Sequence, residues 1–342
     1  MEPVEALEAI AYTLETKGAP GFKIKAFRSA AETIRPLGRD ELARLAEGRG
    51  LGRLPGVGET TATVIREALA GGTPQYLTDL GGSAMPSDEA LSPEAEALHR
   101  ALRGDCHTHS EWSDGSSPVT VMAHAAAALG HDYVALTDHS PRLTVAHGLN
   151  RERLAEQLAL VAELNEELAP FRILTGIEVD ILEDGGLDQE PELLATLDVV
   201  VASVHSKLRM DAKQMTRRMV AAMESPYTDI LGHCTGRLLS GKGRPQSEFD
   251  AEEVFSCCAE HGKAVEINSR PERRDPPPAL LERALGLGCL VTIDTDAHAP
   301  GQLEWQPLGC IQAAAAGVRP DQIVNTHALD EILAWTASHR AS

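Results

Sequence analysis

The second part of the sequence alternates short apolar runs with longer segments of helical periodicity, and this alternation limits the folds open to the chain. The apolar runs after the first hundred residues lie at 133–136, 172–177, 199–204, 230–231, 264–267 and 290–293. Predicted helices lie between them at 151–168, 212–223, 251–261 and 279–287. Repeated strand-helix units of this kind form a parallel sheet or barrel in an α/β fold. About seven units predict a barrel that is similar to the eight-stranded (βα) barrel without matching it.

Residue types that bind metal ions recur at the ends of the apolar runs. The predicted ligands share a position at or just after the C-terminal end of a run, and they are His107, His109, Asp114, His139, Glu178, His205, His233, Asp296 and His298. A βα barrel builds its active site at the C-terminal ends of its strands. The sequence therefore predicts that these side chains converge on one metal site.

The stretch His107-Thr108-His109 is the centre of this prediction. Residues two apart on a strand point to the same face, so the two imidazoles can bind one cation. Asp114 follows a polar turn and offers an oxygen ligand for a second cation. Nitrogen and oxygen ligands without cysteine suit Zn²⁺, Mn²⁺ or Fe²⁺. The other histidines fall away from strand ends and are expected to be structural or surface residues: His99, His124, His131, His147, His261, His327 and His339.

The first 80 residues carry the pattern of a small all-α domain, with helices predicted at 4–16, 22–34, 40–46 and 60–70. Between the last two helices, Leu54-Pro55-Gly56-Val57-Gly58 permits a tight turn whose backbone N–H groups form an anion site at a helix start. This helix-hairpin-helix signature holds a nucleic-acid phosphate without reading the base sequence. The predicted DNA-binding residues are Lys23, Lys25, Arg28, Gly56, Val57 and Gly58. The alternatives are a solvated charged face and a purely structural turn.

Charge is distributed unevenly along the chain. The formal net charge is -20, yet residues 1–80 carry 10 Lys and Arg against 11 Asp and Glu. The acidic excess therefore lies with the predicted metal ligands, where bound divalent cations would reverse the local field. We expect contacts with nucleic acid only in the first segment or near the metals.

Composition predicts two domains in a globular protein. A hydrophobic content of 43% suits a packed core. We predict a helix-hairpin-helix domain at 1–80, a linker rich in glycine, proline and acids at 81–98, and a metal-binding domain at 99–342. The six cysteines lie within apolar runs and are expected to be buried reduced thiols. No membrane span or signal sequence is visible, so we expect a cytoplasmic protein without a membrane partner.

The segment from about residue 99 to residue 340 resembles the PHP family of metal-dependent phosphoesterases, named for polymerase and histidinol phosphatase. The motifs that carry the resemblance occur in family order: His107-Thr108-His109, Thr137-Asp138-His139-Ser140, Gly176-Ile177-Glu178, Ser203-Val204-His205, Gly232-His233 and Asp296-Ala297-His298. The resemblance implies a distorted seven-stranded barrel that hydrolyses phosphoester bonds. It is strongest to the version fused to bacterial family X DNA polymerases, from which Cys234 and Arg274-Asp275-Pro276 depart.

The resemblance also implies two to three bound metal ions. The first would be held by His107, His109, Glu178 and Asp296, the second by Glu178, His205 and His233, and a weaker third by Asp114, His139 and His298. Clustered cations acidify a bridging water and neutralise phosphate oxygens. Arg237, Arg273 and Lys207 lie just beyond ligand-bearing strands and are either catalytic clamps for phosphate or surface charges. Asp138 is expected to orient ligands or anchor a loop.

The segment from about residue 7 to residue 80 resembles the N-terminal lyase-type domain of family X DNA polymerases. The resemblance rests on residues 22–31, the hairpin at 54–58 and residues 65–69. In lyase-active members a lysine in the helix after the hairpin forms a Schiff base with an abasic sugar, whereas Val64 stands at that position here. Without an amine, the resemblance implies DNA docking and not lyase chemistry. No nucleotidyl-transfer domain lies between the two halves, so polymerase activity is not expected.

These observations leave three hypotheses for function. The first is a metal-dependent hydrolase of phosphoester bonds at DNA ends, acting as a 3′-5′ exonuclease or a 3′-phosphatase. The second is a small-molecule phosphomonoesterase of the histidinol-phosphatase type. The third is a non-catalytic DNA-binding scaffold, which the complete ligand set argues against. The hairpin motif favours the first hypothesis, because a small-molecule enzyme has no use for a grip on a phosphate backbone.

Overall fold

The computed structural model describes residues 1–48, 50–81, 91–240 and 243–340, and the chain divides into two compact units, Met1–Asp88 and Glu89–Ser342. Of the linker predicted at 81–98, residues 82–90 lie outside the described residues. The later part of that prediction differs from the structure, because Pro93–Ala101 is helical. Ser92 begins this helix by accepting a hydrogen bond from Ala95 N. Ala95 and Leu98 pack into the core of the second unit, so helix formation here is driven by burial.

The first unit is all α, as predicted. Its described helices are α1 (Pro3–Thr16), α2 (Gly21–Ile34), α3 (Arg39–Ala46), α4 (Glu59–Leu69) and α5 (Gln75–Leu80), with a 3₁₀ turn at Leu51–Arg53. Apolar residues at helical spacing, such as Leu7, Ile10 and Leu14 in α1, are buried in one core. The loop between α3 and α4 carries the hairpin motif.

The second unit is a nearly closed barrel of seven parallel strands. They follow chain order and are β1 (Gly104–Thr108), β2 (Tyr133–Leu136), β3 (Arg172–Asp180), β4 (Val199–Ser203), β5 (Ile230–Leu231), β6 (Ala264–Asn268) and β7 (Leu290–Asp294). The helices of this unit are α6 (Pro93–Ala101), α7 (Val119–Ala128), α8 (Arg151–Leu168), α9 (Pro191–Leu194), α10 (Ala212–Met223), α11 (Ala251–Glu260), α12 (Pro278–Gly286), α13 (Gln306–Ala315) and α14 (Leu329–Arg340). The predicted α/β class and the distorted seven-stranded barrel are therefore confirmed.

The strands are buried on both faces, which explains their continuous apolar runs. In β4, Val199 and Val201 belong to one buried cluster with Leu174, whereas Val200 belongs to another with Met219 of α10, so alternate residues face different cores. The interior apolar cluster fills the lower part of the barrel. The polar candidate ligands therefore lie next to this packed apolar interior, at the C-terminal ends of the strands.

Backbone and side-chain hydrogen bonds join β1 to β7, beside one isolated backbone bridge between Thr108 and Ala297. His109 N donates to Ala297 O at 2.8 Å. Asn325 donates through Nδ2 to Gly104 O at 3.0 Å and to Ile293 O at 2.8 Å. Asp105 accepts a hydrogen bond from Thr295 Oγ1 at 2.5 Å. These bonds fix the first and last strands together and set their C-terminal ends side by side.

The cysteines agree with the prediction of reduced thiols. All six are free and buried. Separately, none of the helices in the described part of the chain combines the length and the apolar character needed to cross a membrane.

Candidate metal centre and hairpin surface

The barrel brings all the predicted metal ligands to one end. Each occupies the C-terminal part of a strand or the loop that follows it: His107, His109 and Asp114 at β1, His139 at β2, Glu178 in β3, His205 at β4, His233 at β5, and Asp296 and His298 at β7. They form four overlapping groups in which the candidate ligand atoms lie within 4.8 Å of one another. The sequence pattern thus predicted the meeting of these side chains, because parallel strands end at the same edge.

Glu178 lies at the centre of the cluster, with its two carboxylate oxygens facing different histidines. Oε1 is 3.2 Å from His205 Nε2 and 2.9 Å from His233 Nε2. Oε2 is 3.4 Å from His107 Nε2 and 2.8 Å from His139 Nδ1. Oε2 also lies 3.6 Å from His109 Nε2. Since the two oxygens face different sets of imidazoles, Glu178 has the geometry of a bridging carboxylate.

A second group of ligands lies at the mouth of the barrel. Asp114 Oδ1 is 3.4 Å from His139 Nε2 and 3.2 Å from His298 Nε2. The Asp114 side chain is 36% exposed, whereas those of His107 and Glu178 are fully buried. We call Asp114, His139 and His298 the mouth group. A cation held by the mouth group would therefore stay in contact with solvent.

The candidate ligand atoms are placed to coordinate metal ions and not to form hydrogen bonds with one another. Buried atoms without a hydrogen-bond partner include both ring nitrogens of His109, His205 and His233 and both carboxylate oxygens of Glu178. Each such atom costs about 1–3 kcal/mol when nothing binds it, so proteins rarely retain them. Ligand atoms placed around one cation at about 2.0–2.2 Å are themselves about 3.0–3.5 Å apart, close to the separations seen here. The cluster is therefore a fitting site for divalent cations.

Burial and charge set the protonation states of the ligands. Burial raises the pKa of Glu178, but the charges of His205 and His107 outweigh it and hold this pKa well below its usual value. Burial lowers the pKa of His109, and the charges of His298 and His139 lower it further. Burial also lowers the pKa of His107, but the charges of Glu266 and Glu178 outweigh it and hold this pKa well above its usual value. A cation bound at this ligand would therefore have to displace the proton of His107.

Glu266 supports the cluster from β6, although the sequence analysis did not select it as a site residue. Its Oε1 lies 2.5 Å from His107 Nδ1, and its Oε2 accepts a hydrogen bond from His233 N at 2.5 Å. Asn268 Nδ2 also donates to Oε2, at 3.2 Å. A carboxylate that receives the Nδ1 proton of a histidine fixes the ring and leaves Nε2 for a metal. Glu266 thus orients two candidate ligands. The sequence signal was its inward position on the strand that supplied no predicted ligand.

Replacing Glu266 by glutamine is expected to weaken metal binding by roughly 10- to 100-fold. The amide oxygen of the new side chain can still accept from His233 N, but its NH₂ group cannot accept the Nδ1 proton of His107. The affinity is measured by competition between the protein and a fluorescent Mn²⁺ chelator. At saturating Mn²⁺ the rate of bis(p-nitrophenyl) phosphate hydrolysis by E266Q should return toward the parent value, because Glu266 positions a ligand and does not touch substrate. E260Q, at an exposed glutamate of α11, is the matched control. Equal Mn²⁺ affinity in E266Q and E260Q would contradict the assignment.

Asp138 anchors the loop between β1 and α7, which is one of the two roles expected from the sequence. Its carboxylate accepts hydrogen bonds from Ser110 N at 2.9 Å, Ser110 Oγ at 2.6 Å and Gln157 Nε2 at 2.7 Å. The same loop carries Asp114. Asp138 therefore holds the loop in the position from which Asp114 reaches the mouth group.

A cleft of about 400 Å³ opens above the cluster, and two arginines line it. Arg273 donates through Nε to Asp296 Oδ2 at 3.0 Å, while its Nη1 is buried and has no hydrogen-bond partner. Arg270 donates through Nη1 to Asp296 O at 3.1 Å and approaches His298 Nδ1 at 3.0 Å. The guanidinium groups lie beside the candidate metal ligands, where a phosphate group would need positive charge. Arg270 was not selected from the sequence, and its only signal there was its place two residues after β6.

The structure does not bring the other two predicted phosphate clamps into the cleft. Arg237 donates through Nε to Arg273 O at 2.9 Å and lines a different cavity. Lys207 is exposed and is absent from the described lining of the cleft. Both residues follow strands that carry ligands, but a place after such a strand does not by itself bring a side chain into the cleft. Their placement does not support a clamping role.

The hairpin in the first unit has the local geometry that its glycines predicted. Gly56 has a φ of 72°, and a Cβ there would lie 3.1 Å from Ser29 Cβ, so glycine is required at this position. Gly58 precedes α4 and donates through N to Thr61 Oγ1 at 2.9 Å. Val57 is buried and fixes the turn to the core. The first turn of α4 therefore presents its backbone N–H groups beside the hairpin.

The cations at the hairpin differ in part from those predicted. A groove of about 620 Å³ next to the turn is lined by Arg53 and Arg66, which the sequence analysis did not select. Lys23 and Lys25 are exposed on α2. Lys25 lies one helical turn before Ser29, on the face of α2 that meets the hairpin. These side chains can surround a phosphate at the start of α4.

Arg28, predicted to contact DNA, forms an ion pair within the first unit. Its Nη2 lies 2.9 Å from Glu15 Oε1 and 2.8 Å from Glu15 Oε2. The Arg28 side chain is only 17% exposed and that of Glu15 is fully buried. The pair joins α1 to α2. Arg28 aligns with the lysines in the sequence, but the helix turns it toward α1 and away from solvent.

The barrel and its cluster of histidines and carboxylates define a metal-dependent hydrolase of the βα-barrel class. Residues 105–270 match the family model described as the PHP domain, and residues 1–74 match that of a helix-hairpin-helix domain. The chain belongs to the PHP family of metal-dependent hydrolases that act on phosphoester bonds.

Several known proteins are similar to this chain. It is 36% identical over 234 residues to the DNA polymerase/3′-5′ exonuclease PolX of Bacillus subtilis, with 68% of this chain and 41% of PolX covered, so it spans less than half of that relative. A probable phosphatase of Thermoanaerobacter is 30% identical over 236 residues, with 65% of this chain and 89% of the phosphatase covered. The solved structure of histidinol phosphate phosphatase from Lactococcus lactis has a TM-score of 0.47 and 19% identity, covering 64% of this chain and 95% of that one.

Proposed function

We propose that the protein hydrolyses phosphoester bonds at DNA ends, as a 3′-5′ exonuclease, a 3′-phosphatase or both. The observation that carries the proposal is the presence, in one chain, of a helix-hairpin-helix unit and a cluster of candidate metal ligands below an arginine-lined cleft. A hydrolase of small phosphates has no need of the hairpin unit. The similarity to PolX, whose name includes a 3′-5′ exonuclease, supports the same substrate class.

The phosphate group of the substrate is proposed to bind in the cleft, next to the side chains of Arg270 and Arg273. Arg273 lines the cleft and has an Nη1 without a hydrogen-bond partner, and a guanidinium group can donate to phosphate oxygens. Arg270 lies on the same wall and adds a second positive charge. Because both guanidinium groups also contact Asp296, their positions are fixed before substrate arrives. Two or three Zn²⁺, Mn²⁺ or Fe²⁺ ions, when bound, would activate water and neutralise phosphate oxygens.

The hairpin is proposed to hold the DNA backbone. The backbone N–H groups of α4 and the guanidinium groups of Arg53 and Arg66 offer a phosphate both hydrogen bonds and charge. Phe22, which is 74% exposed, lies on the same face of α2 as Lys25 and offers a surface for stacking with an unpaired base. Val64 is buried in the core, so this helix face carries no amine for Schiff-base chemistry.

A second candidate function is hydrolysis of a small phosphomonoester that carries an amine. Glu272 lines the cleft with its Oε2 3.5 Å from Arg270 Nε, and a carboxylate in this position can also attract the ammonium group of a substrate. The similarity to a probable phosphatase supports this alternative. Under this alternative the hairpin unit would dock the enzyme without presenting substrate.

The expected result of a direct test is Mn²⁺- or Zn²⁺-dependent shortening or dephosphorylation of DNA. The substrates are two 5′-labelled oligonucleotides, one with a 3′-hydroxyl and one with a 3′-phosphate, run beside histidinol phosphate. The H107A variant should lose all turnover, because His107 is a candidate ligand at the buried end of the cluster. Turnover of histidinol phosphate alone would favour the second candidate, and no turnover with any metal would contradict both.

The role of the hairpin is tested in the same assay. R53E should raise KM for DNA by about tenfold or more, with the largest effect at low salt, because a phosphate contact becomes a repulsion. R44E is the matched control, since Arg44 is exposed on α3 away from the groove lining. Hydrolysis of bis(p-nitrophenyl) phosphate should be equal in both variants. Equal KM values for DNA in both variants would remove the hairpin from substrate binding.

A further inference from the structure

A second cavity lies in the barrel unit, behind one wall of the cleft that opens above the candidate metal ligands. Its volume is about 300 Å³, and its lining includes Arg237, Leu239, Arg274, Glu282, Ile311 and Ala315. This volume is at the lower end of the range for small-molecule sites, which are mostly apolar with a few polar groups. The proposed hydrolysis uses none of these side chains. Arg237 therefore lacks a function in the cleft but faces a cavity of ligand size.

The cleft and this second cavity share a wall made of two chain segments. In the first segment, Leu238 and Ser240 line the cleft, whereas Arg237 and Leu239 line the cavity. In the second segment, Arg273 lines the cleft and the next residue lines the cavity. The segments are joined by the hydrogen bond from Leu239 N to Glu272 O at 2.7 Å. A ligand in the cavity would thus contact the back of the wall that faces the substrate.

Arg237 connects the two sides of the wall. Its Nε donates to Arg273 O at 2.9 Å, and its Nη2 donates to Arg274 O. The side chain of Arg273 in turn donates to Asp296 Oδ2 at 3.0 Å. A ligand that moves the Arg237 guanidinium would therefore act on the loop that holds the Arg273 side chain beside the candidate metal ligand Asp296.

Charge and shape indicate the kind of ligand. Burial lowers the pKa of Arg237, and the charge of Arg274 opposes its protonation, although Asp275 acts in the other direction. A bound anion would stabilise the charged guanidinium. A guanidinium also matches the planar or tripodal oxygens of carboxylate, sulfonate and phosphate groups. The apolar side chains Leu239, Pro278 and Ile311 suit the hydrocarbon or aromatic body of the same ligand.

We propose that this cavity binds a small organic anion with an apolar body, and that its occupancy changes the binding of substrate in the metal cleft. The cavity lies outside the candidate metal cluster, so the proposal adds a site to the proposed function and does not depend on DNA being the substrate. Binding at the cavity and substrate binding in the cleft should be coupled in both directions.

The binding is tested on the full-length Mn²⁺-loaded protein with 8-anilinonaphthalene-1-sulfonate as the probe. This sulfonate should bind at one site, at least about tenfold tighter than N-phenyl-1-naphthylamine, which has the same body without the anion. Inorganic sulfate, the anion without the body, should compete only weakly. Equal affinity for the charged and uncharged probes would overturn the assignment of an anion site.

Two variants locate the probe. A315W fills the cavity from the end of α13 and should weaken the sulfonate by at least about tenfold, whereas A155W, at an exposed alanine of α8, should not. E282Q removes the negative charge from the lining and should tighten binding about threefold or more. Because E282Q changes an exposed side chain, it keeps the test open even if A315W does not fold. Unchanged affinity in E282Q, or equal loss in A315W and A155W, would place the probe elsewhere and overturn the proposal.

The coupling is tested by Mn²⁺-dependent hydrolysis of bis(p-nitrophenyl) phosphate. The sulfonate should change KM by about fivefold or more in the parent and in A155W, and this change should be lost in A315W. Binding without a change in KM would overturn the coupling and leave the site. If DNA is not a substrate, the proposed function fails while the probe titrations still decide on the cavity.

Discussion

E178Q is expected to lower the rate of phosphodiester hydrolysis by at least about 10³-fold and to reduce the metal content of the purified protein. Losing a partner that only orients a metal ligand typically costs roughly 10- to 100-fold. Glu178 should cost more, because both of its oxygens face imidazoles of the cluster at 2.8–3.4 Å. Glutamine keeps the size of the side chain but has one oxygen and no charge, so it cannot bridge two cations.

The experiment compares metal content by mass spectrometry with kcat for bis(p-nitrophenyl) phosphate at rising Mn²⁺. Excess Mn²⁺ should fail to restore E178Q, whereas it should restore a variant that has lost only affinity, such as E266Q. E167Q, at an exposed glutamate of α8, is the matched control and should resemble the parent. Full metal content and turnover within about tenfold of the parent would remove Glu178 from the centre of the site.

The meeting of the candidate ligands could be predicted from sequence because it follows from chain topology. Parallel strands in chain order end at one edge, so His107 of β1 and Asp296, which follows β7, come together. At the same join Cys106 N donates to Asp294 Oδ1 across a sequence separation of 188 residues. Periodicity likewise placed the eight predicted helices within one or two residues of their bounds, but it did not single out α5, α6, α7, α9, α13 or α14. These features depend on local patterns that repeat.

The supporting residues could not be predicted in the same way, because their roles depend on loop conformation and on partners distant in sequence. Arg237 and Arg273 both follow strands, yet only Arg273 turns into the cleft. Glu266 reaches His107 across the barrel interior, over a sequence separation of 159 residues. No spacing rule relates such residues, and only the assembled barrel defines their contacts.

Arg28 shows the same limit in the first unit. In the sequence it stands with Lys23 and Lys25 in a basic cluster that is typical of a DNA-binding face. A helix turns by about 100° per residue, so Arg28 lies about 60° around α2 from Lys25, and this offset decides between solvent and core. The carboxylate of Glu15 on α1 decides it, because a buried charge needs a partner.

R28M is therefore expected to destabilise the first unit by about 1–3 kcal/mol, the usual cost of removing hydrogen bonds from a buried polar group. Methionine replaces the aliphatic stem of Arg28 but leaves Glu15, which is 0% exposed, without the guanidinium that holds both of its oxygens. Hydrogen exchange measured by mass spectrometry on the full chain reports this loss in peptides from α1 and α2. Peptides from the barrel should exchange as in the parent.

R35M provides the matched control within the same helical unit. Arg35 pairs with Glu8, but the two side chains are 58% and 37% exposed, so solvent screens their attraction. Such a surface pair contributes only about 0–1 kcal/mol, and exchange in R35M should rise little. If R28M and R35M were equally stable, Arg28 would not be a structural residue. Its charge would then return to the candidates for DNA contact, beside Lys23 and Lys25.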